Sequence, residues 1–281
     1  MSTTADVGPV ATTRPETGAW LHGVVRDVPP DTLAEMVGMD GGKVRAVHGG
    51  GLVAVVSAAP LTEYGEEPLR RKLEDLTWLE SAARTHHGVV AALSATGAVV
   101  PARLATVHRD ADRVAAVLAE RHAELTAALD RLTGRTEWGV KGYVVPGAPP
   151  AEEDDEPAGG GGAGAAYLRR RRAQLTAREQ GQRIAADTAA TVHEALAQYA
   201  VADRRHALQD RRLSGAATAM VLNGAYLVDT AALDGFTELV RALAGRHPQV
   251  RLELTGPWPP YSFVGEGPAE QPHTVRDPAS W

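Results

Sequence analysis

The chain has 281 residues, enough for two domains that each bury a core. Apolar residues at 44% and charged residues at 23% are ordinary globular usage, and a formal charge of -6 gives no general attraction to nucleic acid. With no cysteine, disulfides, thiolate metal sites and cysteine nucleophiles are excluded, which fits a cytoplasmic setting. Residues 1–18 lack the basic start and apolar run of a secretory signal. No stretch reaches the roughly 18 apolar residues of a spanning helix, so no lipid membrane is expected as partner.

Residues 20–26 predict a first strand, and Pro29-Pro30 a break before a short helix with Asp31 as its N-cap, ending near Gly38. Strands over 43–48 and 52–57 are joined by Gly49-Gly50-Gly51, which supply the positive φ of a tight hairpin. Leu52 to Val56 is apolar on both faces, as in a strand in the middle of a sheet covered on both sides, or one with a face against helices and the other lightly screened. Leu69, Leu73, Leu76, Leu79, Ala83, Val90 and Leu93 recur at helical steps, predicting one long amphipathic helix or two stacked ones. Pro101 makes 99–104 an edge strand or an extended segment. Val114, Val117, Leu118, Leu125, Leu129 and Leu132 form the next helical stripe, with Gly134 as its C-cap. A strand over 138–145 is expected to close the first domain.

Residues 146–166 bring prolines, then Glu152-Glu153-Asp154-Asp155-Glu156, then Gly159 to Gly162, and cannot bury anything. From Tyr167 to about Leu213 no proline interrupts, so one or two long helices are expected, with a bend at Gly181. Residues 216–222 and 226–228 flank Asn223-Gly224, a two-residue hairpin signal. Phe236, Leu239, Val240 and Leu243 mark a helix that stops before Pro248, and Val250, Leu252 and Leu254 alternate in a half-buried strand. The expected architecture is α+β in two domains, each with helices packed on a mainly antiparallel sheet: 19–146, then an acidic and glycine-rich linker or insert at 147–165, then 166–264, with an extended tail at 265–281.

Chemistry is sparse. Gly41-Gly42-Lys43 lacks the first glycine and the following Ser/Thr of a phosphate loop, because Val37 and Val44 stand there, so it reads as a turn. His193-Glu194 lacks the second ligand of a zinc-protease helix, since position 197 is Ala. His86 and His87, with Glu80 and His108 nearby in sequence, are candidate metal ligands or general acid and base. Adjacent helix residues point about 100° apart, which favours a structural pair. No cofactor or metal is expected, and no catalysis. Arg169-Arg170-Arg171-Arg172 point all round a helix and suit an acidic partner better than nucleic acid. Pro257, Trp258, Pro259, Pro260, Tyr261 and Phe263 concentrate aromatics and prolines into one segment, either a binding site or a strap over the second domain.

Four segments then resemble one known family, the gas vesicle proteins of the F and L type. They are Leu76-Thr77-Trp78-Leu79-Glu80 with His87; Val99-Val100-Pro101-Ala102-Arg103 with the helix to Leu132 and Glu137-Trp138-Gly139-Val140-Lys141; Tyr167-Leu168-Arg169-Arg170-Arg171; and Thr255-Gly256-Pro257-Trp258-Pro259-Pro260-Tyr261-Ser262-Phe263. The resemblance implies two α+β domains, the second a modified ferredoxin-like fold with an extended C-terminal tail. It also implies an accessory role in vesicle assembly, as a minor component or assembly factor. The expected partners are the main gas vesicle shell protein and other vesicle accessory proteins, with Pro257, Trp258, Pro259, Pro260, Tyr261, Phe263, Arg169 and Arg170 as contact residues. A small-molecule-binding regulatory module on the ferredoxin-like sheet is the alternative.

Overall fold

A computed structural model describes residues 16–145, 163–209 and 218–264. The chain divides into two units between Arg131 and Leu132, each with helices on an antiparallel sheet, so the fold is α+β as expected. The acidic run Glu152 to Glu156, the glycines Gly159 to Gly162 and the tail 265–281 lie outside the described residues.

The first unit contains β1 (Thr17–Val25), α1 (Pro30–Glu35), β2 (Val44–Gly49), β3 (Leu52–Pro60), α2 (Leu61–Tyr64), α3 (Glu66–Glu74), α4 (Leu76–Thr96), β4 (Val100–Pro101), β5 (Val107–His108), α5 (Ala111–Glu120) and α6 (His122–Leu132). Its sheet runs β2-β3-β1-β4, with β5 also on β1. Gly50 and Gly51 have φ of 57° and 78°, the two left-handed residues a type I′ hairpin needs, and Gly49 pairs with Leu52 across them. At Gly49 a Cβ would come within 2.6 Å of the Ala115 carbonyl, so only glycine lets α5 lie against the hairpin. The long apolar stripe resolves into α3 and α4, broken at Asp75, whose carboxylate accepts from the N–H groups of Thr77 and Trp78 and so caps α4. Asp31, expected as a cap, instead lies in the first turn of α1 behind Pro30 at N1, where its charge complements the helix dipole. Val25, Val53, Val55, Val89, Val90 and Leu93 build the core between the sheet and α4.

The second unit is β6 (Arg135–Val144), α7 (Ala163–Tyr199), β7 (Ala202–Arg205), β8 (Met220–Asp229), α8 (Leu233–Arg246) and β9 (Val250–Trp258). Its sheet order β7-β8-β6-β9 puts the first strand of a βαββαβ chain beside the third, the ferredoxin-like arrangement. Val140, Val192, Leu196, Leu222, Tyr226, Phe236 and Val240 pack between the sheet and the two helices.

Two expectations change here. The strand expected to close the first domain is central in the second, paired with β8 and β9 along nearly its whole length. A strand's partners come from long-range register, which periodicity does not carry. The segment after Pro146 therefore falls between the first strand and first helix of the second unit, and does not separate two domains.

The hairpin expected at Asn223-Gly224 does not form, because β8 runs straight through both. Gly224 is needed for space, since a Cβ there would lie 2.6 Å from the Tyr226 hydroxyl, which folds back over it. Asn223 uses its side-chain amide on the Ala207 carbonyl at 2.9 Å. The stretch expected as one or two long helices is one helix, α7, of 37 residues, which includes Gly181.

Candidate functional site

The aromatic segment forms a return across the second unit. β9 ends at Trp258 opposite Glu137, and the chain then turns through Pro259 and Pro260 into one 3₁₀ turn over Tyr261–Phe263. Its side chains divide in two directions. Pro259, Pro260 and Phe263 are buried, while Pro257 is exposed and Trp258 and Tyr261 keep 44% and 39% of their surface in solvent.

The return is latched by Glu137, whose carboxylate accepts from the Ser262 N–H at 2.9 Å and the Ser262 hydroxyl at 2.7 Å. His206 Nε2 lies 3.2 Å from the same hydroxyl, and its backbone N–H donates to the Asn223 carbonyl on β8. Burial raises the Glu137 pKa, against the pull of the Ser262 donors and of the Arg204 charge. Ser262→Ala removes a hydrogen bond to a buried carboxyl and is expected to cost about 2 kcal/mol. Faster amide exchange in 258–264, with the first unit unaffected, checks it. Sequence reasoning found the aromatics but not Glu137, Ser262 or His206. The one available signal was a carboxylate, Glu137, placed immediately before the strand expected over 138–145.

Arg169 and Arg170 lie on another element, the N-terminal half of α7. The Arg169 side chain is exposed, and the Arg171 guanidinium donates to the Tyr167 hydroxyl at 3.2 Å. Strap and helix thus form two separate candidate surfaces on the unit's elements.

In the first unit, His86 and His87 separate: His87 is half-buried, and His86 is held in the core. His86 is buried, its Nδ1 accepting from the Trp20 indole at 3.2 Å and its Nε2 donating to the Ala102 carbonyl at 3.1 Å. Both ring nitrogens are thereby engaged, and no lone pair points outward for a metal. Among the described residues no group of three or more His, Asp or Glu side chains is placed to hold a metal ion. Glu80 forms a surface ion pair with Arg84, and His193, expected to be no zinc ligand, sits 2.8 Å from the Tyr226 hydroxyl and 3.3 Å from Asp203.

His22 was not anticipated. It is the extra residue of a bulge in β1, between Leu21 paired with Val56 and Gly23 paired with Val55, and the bulge turns its ring inward onto His86 with 5.2 Å between centroids. Its Nε2 meets the Ser57 hydroxyl at 3.0 Å, and that oxygen also accepts from the Met39 N–H at 3.2 Å. His22 Nδ1 has no partner among the described residues. Burial, with the neighbouring His86, lowers the His22 pKa to about 3, so this is an uncharged core histidine.

Residues 18–265 match the family described as "Gas vesicle synthesis protein GvpL/GvpF". Gas vesicle protein L of Streptomyces sp. (strain CB03234) is 45% identical over 229 residues, 81% of this chain and 85% of that protein. Gas vesicle protein F of the same strain is 30% identical over 256 residues, 87% of this chain and 98% of its own length. The crystal structure of GvpF from Anabaena sp. PCC7120 superposes with a TM-score of 0.59 at 17% identity, covering 92% of this chain and all (100%) of that one. GvpF from Microcystis aeruginosa also gives 0.59, at 18% identity, over 88% of this chain and 99% of its own. At that identity the two structures speak for the fold alone, and the sequence match across both units gives the kinship: the chain belongs to the gas vesicle GvpL/GvpF family and is a protein of gas vesicle formation.

Proposed function

We propose that the chain is an assembly factor or minor component that binds the main shell protein, or other vesicle accessory proteins, by surface contact in the cytoplasm and transforms no substrate. A shell subunit with an apolar gas-facing surface has to be covered before it joins the wall, and a stoichiometric protein partner does this without chemistry. The observation that carries the reading is the division within the C-terminal return: Pro259, Pro260 and Phe263 anchor it, and Trp258 and Tyr261 are held outward. Exposed aromatics on a rigid, proline-bounded support lose little entropy on binding. Arg169 and Arg170 on α7 add a basic contact.

Trp258→Ala is expected to weaken co-purification with the shell protein by about tenfold or more, the effect of losing an interface anchor. Its Nε1 donates to the Thr255 hydroxyl at 3.2 Å and the residue is 44% exposed, so the substitution opens no cavity and thermal unfolding of the variant should match the parent. Binding loss that tracks unfolding would mean that the segment is a strap and no binding site.

A further inference from the structure

The N-terminal half of α7 does not pack within its own unit. Every side chain described between Tyr167 and Ile184 is exposed, and burial begins at Ala185. A helix in that state is marginal in water unless side-chain pairs or a partner support it. Arg171 on Tyr167 is one such pair. Arg169, Arg172 and Arg183 have no hydrogen bond or ion pair among the described residues.

Residues 163–184 hold six arginines and one glutamate in a chain whose formal charge is -6, so this is a positive element on an acidic protein. Its residues also have a side. At about 100° per residue, Tyr167, Arg171, Leu175 and Leu168 fall within an arc of roughly 100° that continues the buried stripe of Ala185, Ala189 and Val192 back along the helix. Tyr167, Leu168 and Leu175 are 53%, 58% and 51% exposed.

We propose that this strip docks an acidic amphipathic helix of a protein partner. The partner's apolar residues, at every third and fourth position, seat on Tyr167, Leu168 and Leu175, and its flanking carboxylates pair with Arg171 and Arg172. This rests on the reading that the chain works through protein contacts, and it names the chemistry of one such partner. Charge selects it: a positive strip with desolvating apolar residues between its arginines favours a carboxylate-bearing surface. Nucleic acid fits less well, because four successive arginines surround the helix and make no continuous stripe along a phosphate backbone. A lipid surface fits less well because the apolar residues are interrupted by arginine and form no broad face.

The test uses the full chain and a fluorescent helical peptide of about 20 residues, leucine at helical spacing and glutamate elsewhere, read by anisotropy at roughly 50 and 300 mM salt. Binding should weaken with salt. Arg171→Glu with Arg172→Glu should weaken it at least about tenfold and Leu175→Ser about fivefold, while Arg169→Glu, on the far side of the helix, should change it less than about twofold. Unchanged circular dichroism shows that the helix persists in each variant. Equal effects from all three variants, or tighter binding of a DNA duplex, phosphatidylglycerol vesicles or a lysine version of the peptide, would overturn the proposal. Shell-protein capture by the unaltered chain is measured alongside: its failure would sink the proposed function while leaving the peptide result intact.

Discussion

Trp20→Ala is expected to destabilise the first unit by about 3–5 kcal/mol, the cost of emptying a fully buried tryptophan site. Trp20 is 0% exposed on the central strand β1, edge-on to Tyr64 at 5.8 Å and Trp78 at 6.5 Å, and its indole N–H holds His86. The cavity would lie under α2 and α4 together, next to Met39, Ala59 and Ala82. In a chain with 5% aromatic residues, Trp20, Tyr64 and Trp78 are brought together at this one place. Its loss also leaves the His86 Nδ1 acceptor without its indole donor. Denaturant titration followed by amide exchange in 17–25 and 52–60 reads the effect within the unit. A change below about 1 kcal/mol would show that the site collapses without loss and that the packing described is wrong.

The second large effect is loss of first-unit stability in mild acid. The folded pKa of His22, about 3, lies below the ordinary histidine value of 6.5, so its contribution is complete above pH 6.5 and is lost as pH falls from there toward 3. At pH 5 the unfolded chain gains about 2 kcal/mol over the folded one from this residue alone. Burial also lowers the pKa of His86 and of His108, so both add in the same direction. Stability of the first unit at pH 7.5 and at pH 5, with His22→Gln beside the parent, tests it. The variant should show a flatter pH dependence, and a parent equally stable at both values would refute the buried, uncharged assignment. Glu137 in the second unit has the opposite sign: its raised pKa favours the protonated fold, and that contribution is lost as pH rises through the raised value.

Local features were legible in the sequence where local physics decides them. Gly50 and Gly51 were read as a hairpin because two positive φ values in succession demand glycine, and Pro101 was read as an edge because it cannot donate to a ladder. Gly134, with φ of 72°, ends its helix as read. Long-range pairing was not legible. Trp138 to Val144 has the alternation of a strand, but nothing local says whether it pairs with Val56 in the first sheet or with Tyr226 in the second.

Asn223-Gly224 misled for a related reason. The dipeptide permits a turn but does not compel one, and the glycine serves Tyr226 two residues later. His22 escaped notice because a bulge moves one residue out of alternation, and only the pairing of Leu21 and Gly23 with Val56 and Val55 reveals it. At the candidate surface, composition marked out Trp258 and Tyr261, but which residues face inward depends on Glu137, more than a hundred positions earlier.

The most direct measurement is a binding assay between the purified chain and the main shell protein, both folded, followed by size-exclusion chromatography of the mixture. A co-eluting complex with an integral stoichiometry, weakened by Trp258→Ala, is the result expected of a protein that works by contact. Two folded proteins that elute separately at micromolar concentrations, or turnover of a metabolite by the chain alone, would contradict it.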